Sequence, residues 1–177
     1  QNDNLFAEKF QYLKFIGIAF ICFLLAIKSR SLKFLFFMNI PIYLYLDDSR
    51  QLHERFGTKI ASFLHDGNSN DTLITNFRYQ DIGELLYMLF FGFIILFIFL
   101  ICYELSNTFE RHFLKKILKL FIIFGIFAIL VDSIHQLSEG FIYNLLAIIE
   151  DGGEMIPISF TTAYFFKYLI NNRNKNI

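Results

Sequence analysis

The chain has 177 residues, of which 55% are hydrophobic, with 25 Phe and no Trp. Its mean hydropathy of +0.48 excludes an ordinary soluble domain. Lys+Arg and Asp+Glu number 16 each, so the net charge is zero. The two cysteines, Cys22 and Cys102, both lie inside apolar runs, which indicates neither a disulfide framework nor a cysteine metal motif. The fold expected is all-α: an integral membrane helical bundle of about five transmembrane helices plus one outer amphipathic helix, forming a single domain over residues 1–177.

In the first expected span, 13–29, the apolar run from Phe15 to Ile27 is followed by Lys28, Ser29 and Arg30 rather than by a small-residue cleavage site, so it reads as a retained helix. The second, 32–46, is short and contains Asn39 and Pro41, which predicts a kink or partial insertion. An outer loop, 47–81, follows. In it Leu52, Phe56, Ile60 and Phe63 or Leu64 recur at helical spacing, which predicts an amphipathic helix on the membrane surface. Residues 65–71 then form a turn-rich loop, and Asn70-Asp71-Thr72 matches a glycosylation sequon, a pattern common by chance. The third span, 82–103, is the clearest, since residues 87–103 carry no charge. The fourth is 113–132.

The fifth, 141–170, contains the stretch Glu150-Asp151-Gly152-Gly153-Glu154 between two apolar runs. At spacings of three and four on a helix these three acids project to one side. An ionised acid deep in a bilayer costs about 3 kcal/mol or more unless it is paired, hydrated or bound to a cation. Pro157 removes a donor and disturbs the carbonyl of Gly153, so a broken helix lining a wet site is expected. The alternative is that residues 141–149 form a separate surface helix and the span starts near Glu154.

Ten of the 16 basic residues fall in the loops and tail on one side of these spans, accompanied only by Glu104 and Glu110. The balance is about +8 against −8, and it predicts a multi-pass protein of the cell membrane with the amino terminus outside and the carboxyl terminus in the cytoplasm. The cluster from Arg111 to Lys119 then reads as an anchor to anionic lipid, and no nucleic-acid partner is expected. A rise of about 1.5 Å per residue sets Asp132 roughly 24 Å from Lys116 and Glu150 roughly 25 Å from Lys167, near the outer edge of a hydrocarbon core about 30 Å thick.

That outer layer supplies the candidate metal ligands: Asp47, Asp48, His53, Glu54, Asp132, His135, Glu150, Asp151 and Glu154. Asp132 and His135, three apart, share a helix face, as do the carboxylate-x-x-His ligands of metal-binding bundles. Imidazole with carboxylates suits zinc, iron or manganese, whereas carboxylates with carbonyls suit calcium. A bound divalent ion could activate water for hydrolysis. The alternative is that these acids, Asp47, Asp48 and Glu54 above all, pair with Arg50, Arg55, Lys59 and Arg78 or stay solvated in the headgroup region, since a polar helix end needs no further explanation. Walker, dinucleotide, CxxC and GxSxG motifs are absent.

With its Leu46-Asp47-Asp48-x4-His53-Glu54 and Glu150-Asp151-x2-Glu154 motifs, the sequence resembles a group of small, uncharacterised bacterial multi-span membrane proteins with LDD…LHE and ED…E patterns. That resemblance implies no known activity. A looser similarity to alkaline-ceramidase-type hydrolases fails on detail, because those have seven spans and a paired-His motif and no HxxxH occurs here. Three functions are thus in view: a cation or metal site at the outer face, extending to a metal-dependent membrane hydrolase; a non-enzymatic accessory subunit that binds a membrane-protein partner or a second copy; or a proton or cation conductor.

Overall fold

The computed structural model describes residues 2–64, 72–74 and 77–173. It is helical apart from one short ribbon. Helices α1 (Asn2–Ser29) and α2 (Leu32–Arg50) form an antiparallel pair, and α3 (Leu52–Leu64) folds back from the end of α2. Strands β1 (Thr72–Ile74) and β2 (Phe77–Arg78) pair antiparallel and lead into α4 (Tyr79–Glu104). Then come α5 (Thr108–Gly125), a π-helical segment (Ile126–Val131), α6 (Asp132–Leu137) and α7 (Gly140–Arg173). The loop 65–71 and most of the sequon lie outside the described residues.

Among the described residues, three helices are long and apolar enough to cross a membrane: Glu8–Ser29, Tyr79–Glu104 and Thr108–His135. Five were expected. The two that fall short are α2, a 19-residue helix carrying Lys33, Asn39, Pro41, Asp47, Asp48 and Arg50, and α7, whose middle holds three acids and two glycines. Both pack along their neighbours in the bundle, α2 against α1 and α4, α7 against α1 and α5.

The break expected in the fifth span is also absent. Helix α2 continues through Asn39 and Pro41, and α7 runs unbroken through Gly152, Gly153 and Pro157. Residues 141–149 are therefore not a separate helix. A proline removes one helical hydrogen bond but leaves the rest of the ladder, and neighbouring groups reinforce it here. Met155 O accepts from Lys14 Nζ at 3.2 Å and from Ser159 Oγ at 2.7 Å, while Thr161 Oγ1 donates to Pro157 O at 2.8 Å. The irregular backbone lies in the π segment, where the turn widens immediately before Asp132.

The core forms around Phe37, which is 1% exposed and packs edge-on against Phe99 at 4.9 Å and tilted against Phe165 at 5.2 Å. Phe15, Ile18, Cys22 and Leu25 bring one face of α1 to the same core. Between helices in lipid, packing and shape rather than water exclusion supply the attraction, so interlocking rings set the helix spacing. Asn107 begins α5 with reciprocal caps, Glu110 N to Asn107 Oδ1 and Asn107 N to Glu110 Oε2, both 3.0 Å. Glu110 also pairs with Lys33 and accepts from Tyr168 Oη at 3.3 Å, which gathers α2, α5 and α7 at the basic end of the bundle.

At the other end α3 meets α4 through glycines. A Cβ on Gly83 would lie 2.8 Å from the Cα and 2.9 Å from the carbonyl carbon of Gly57. The two backbones thus touch, with Phe56 stacked on Tyr87 at 5.1 Å beside them. The amphipathic periodicity of α3 holds, but its packed face is the small-residue one, Gly57 and Ala61, while Phe63 stays 90% exposed.

Candidate functional site

The end of the bundle opposite Lys33 and Glu110 holds a half-open cavity of about 830 Å³. Its polar lining comes from five helices: Glu8 and Gln11 of α1, Asp47 and Asp48 of α2, His53 and Glu54 of α3, Gln80 and Glu84 of α4, and Glu150, Asp151 and Glu154 of α7, joined by Asp132 and by Arg78. Eight of the nine candidate ligands thus border one space. The ninth, His135, lies behind it against Glu150.

Two His–carboxylate pairs stand at the corners of this cavity. At the first, Gln51 adopts a left-handed conformation (φ 49, ψ 49) and donates its N–H to the carbonyls of Asp47 and Asp48, turning α2 sharply into α3. The turn lets Asp47 accept from His53 twice, Oδ1 from the backbone N at 3.1 Å and Oδ2 facing ring Nδ1 at 3.2 Å. Asp47 therefore acts as a helix cap and imidazole anchor. Burial alone would lower the His53 pKa, but the Asp47 hydrogen bond and charge, with Glu84 and Glu54 nearby, raise it on balance. Asp48, just beyond the apolar part of α2, is pushed up to about 6 by burial and then by Glu8, with His53 opposing and Asp47 adding to the rise.

The second pair belongs to α6 and α7. His135 Nδ1 is 2.7 Å from Glu150 Oε2, and the imidazole packs against the Tyr143 ring at 4.2 Å. Asp132, His135 and Glu150 each offer one ligand atom, all within 4.8 Å of one another. The Nε2 atom of His135 is buried without a hydrogen-bond partner among the described residues. Such an orphaned ring nitrogen is uncommon in a packed protein. The π segment makes this approach: its wide turn ends at Val131, and Ser133 Oγ donates to Ile129 O at 2.6 Å, so α6 leaves it with Asp132 and His135 toward α7.

Gly153 holds α7 against that segment. A Cβ there would run into the ring of Phe127, so only a glycine lets the π turn sit this close to Glu150 and Glu154. Gly152 has no such neighbour. Among the three acids of α7, Glu150 and Glu154 are half-buried and Asp151 is exposed at the rim. Glu154 Oε2 accepts from Gln11 Nε2 at 3.1 Å and is within electrostatic reach of Asp48, Glu150 and Asp132.

The cavity lining includes nine carboxylates against two basic groups, His53 and Arg78. Arg78 is engaged by Asp81 at 2.7 Å, and the hydrogen bond of that pair raises its pKa. Lys14, from below, is turned onto the α7 backbone and Ser159. Glu8, Gln11 and Lys14 were not foreseen as site residues. Their spacing of three places them on one face of α1 ahead of its apolar run, a signal that the sequence does contain.

Fold and site together define a helical protein with membrane-length apolar helices and an acid-lined cavity at one end of the bundle. The chain belongs to the family described as a domain of unknown function (DUF8692), which matches residues 13–168. No curated protein and no solved structure matches it.

Proposed function

We propose that this is a multi-pass membrane protein that binds a divalent cation at Asp132, His135 and Glu150, on the wall of its acidic cavity. The observation that carries the reading is the convergence of three ligand atoms within 4.8 Å beside a buried, unpartnered imidazole nitrogen. One nitrogen and two carboxylates form a donor set for zinc, manganese or iron rather than for calcium. Asp132, His135 and Glu150 would hold the ion, with Glu154, which accepts from Gln11, one turn beyond Glu150. The charge of the ion offsets the surplus of carboxylates, which otherwise repel in a poorly hydrated space. An ion held there would supply the chemistry of a metal-dependent membrane hydrolase, the activation of water for attack. The acidic end faces outward and the basic end the cytoplasm, with the amino terminus outside, as the distribution of Lys and Arg favours.

The test is equilibrium binding of zinc and manganese to the detergent-purified protein. About one ion per chain is expected. His135→Ala and Glu150→Gln should each weaken binding by tenfold or more while leaving helical content intact. Absence of binding, or equal binding by both variants, overturns the reading.

One observation favours a second function, that of an accessory subunit. The first turns of α7 project past the acid layer with Phe141 80% and Ile148 71% exposed, an apolar face of the kind that partners cover. A membrane partner that co-purifies with wild type and with Glu150→Gln, but not with Ile148→Asp, supports it. Retention of that partner by Ile148→Asp counts against it.

A further inference from the structure

The cavity is not polar throughout. Below the acid layer it continues between α4 and α5 as a slot walled by Met88, Gly92 and Ile95 on one side and by Gly125 on the other, and floored by Phe99 and Phe121, whose rings meet edge-on at 5.4 Å. On α4 the lining residues follow one stripe, from Gln80 and Glu84 at the polar end to Phe99 at the apolar end. From Met88 to Phe99 the rise of about 1.5 Å per residue gives an apolar depth of about 16 Å. Half of a bilayer core about 30 Å thick, the depth of one acyl leaflet, is about 15 Å. The volume of about 830 Å³ is that of a small-molecule site rather than a packing defect.

Two glycines widen the slot. A Cβ on Gly92 or Gly125 would meet no atom within 4 Å, so neither glycine is required by a neighbouring helix, in contrast to Gly57, Gly83 and Gly153. Glycine inside a helix is destabilising by about 0.5–1 kcal/mol relative to alanine, and here no close helix contact accounts for it. What the missing side chains leave is space.

We propose that this slot takes the chain of a membrane amphiphile whose head carries an amine and lodges in the acid layer, between Glu84 at the top of the α4 wall and Asp132 at the top of the facing one. Charge complementarity selects the head. Nine carboxylates against two basic groups repel a phosphate or carboxylate head and attract an ammonium. Arg78, the stronger of those bases, is already held by Asp81. The inference rests on the membrane reading above and names the ligand class of the same cavity; the slot itself does not require the cation.

The experiment uses the full chain in nanodiscs and two photoreactive probes, a hexadecylamine and a hexadecyl phosphate, each with a diazirine near the middle of the chain. Cross-links are mapped by peptide mass spectrometry. The amine probe is expected to label Met88, Ile95 and Phe121 and to be displaced by unlabelled hexadecylamine, with the phosphate probe at least tenfold weaker. Gly92→Phe and Gly125→Leu, which fill the slot from opposite walls, should each reduce this labelling at least tenfold while still binding zinc or manganese as wild type does. Labelling spread over outward residues such as Phe90, Phe93 and Phe97, or unchanged in both variants, overturns the slot. Equal labelling by the two probes overturns the amine head. Cross-linking between copies through Gly92→Cys would show a second chain in the slot and overturn the proposal as well. Metal binding serves as a separate readout, so loss of the cation site with slot labelling intact refutes the cation reading alone.

Discussion

Replacing Gly83 by alanine tests how the acid layer is assembled. In an exposed helix this change is favourable by about 1 kcal/mol. Here the new methyl would lie 2.8 Å from Gly57 Cα and 2.9 Å from its carbonyl carbon, and backbone atoms cannot rotate away as a side chain can. Helix α3 must lift from α4. Overpacking costs about 1–3 kcal/mol, and losing the Phe56–Tyr87 stack costs about 0.5–1.5 kcal/mol more. Against the propensity gain the net loss is about 1–3 kcal/mol, concentrated in α3. Thermal unfolding followed by circular dichroism in detergent should show a lower midpoint, and hydrogen exchange should show faster exchange in α3 with α1 unchanged. Because α3 carries His53 and Glu54 to the cavity, their corner should loosen too. A Gly83→Ala protein as stable as wild type, with α3 equally protected, would refute the close approach and the reasoning built on it.

Gly153→Ala should push Phe127 aside and cost about 1–3 kcal/mol before any propensity gain. Adding Phe127→Ala should recover part of this, and a double-mutant cycle with no coupling between the two positions would contradict the contact. Asp48 gives a pH signature. Its folded pKa of about 6 lies above the ordinary 3.8, so its stabilising contribution is complete below 3.8 and is lost as the pH rises through about 6. At about 1.4 kcal/mol per unit the loss is at most about 3 kcal/mol, and Asp48→Asn should flatten stability across that window, as read by denaturant titration at a series of pH values. His53, also raised, loses its contribution as the pH climbs through a value above 6.5. At the basic end, Lys33→Met removes the cationic partner of the half-buried Glu110, which keeps its bonds from Asn107 N and Tyr168 Oη, and should cost about 1–3 kcal/mol. Cation binding should be unchanged in that variant wherever it remains folded.

Much of the architecture is legible in the sequence because it depends on local composition. The uncharged run 87–103 must satisfy its own backbone if it spans a bilayer and so reads as a helix, and the separation of bases from acids foretells two chemically different ends. The same holds for the acid layer, since the spacing of Asp132, His135 and Glu150 and their distance from the basic loops follow from the helical rise. The bundle even recruits Glu8 and Gln11 from a face of α1 that the sequence displays.

Tertiary packing decided the rest. Whether Gly153 marks a hinge or a close contact cannot be read from the glycine itself, because the answer is the Phe127 ring, 26 residues earlier, which fills the place of its missing Cβ. The sequence by itself determined that the chain is helical, strongly apolar and acidic at one end, since those properties add up residue by residue. Only the tertiary structure decided that α2 and α7 stay unbroken, that the irregular turn belongs to Ile126–Val131, and that the acids ring one cavity continuous with an apolar slot. Those outcomes depend on which side chains from distant segments share a space, and that is a property of the packed helices together.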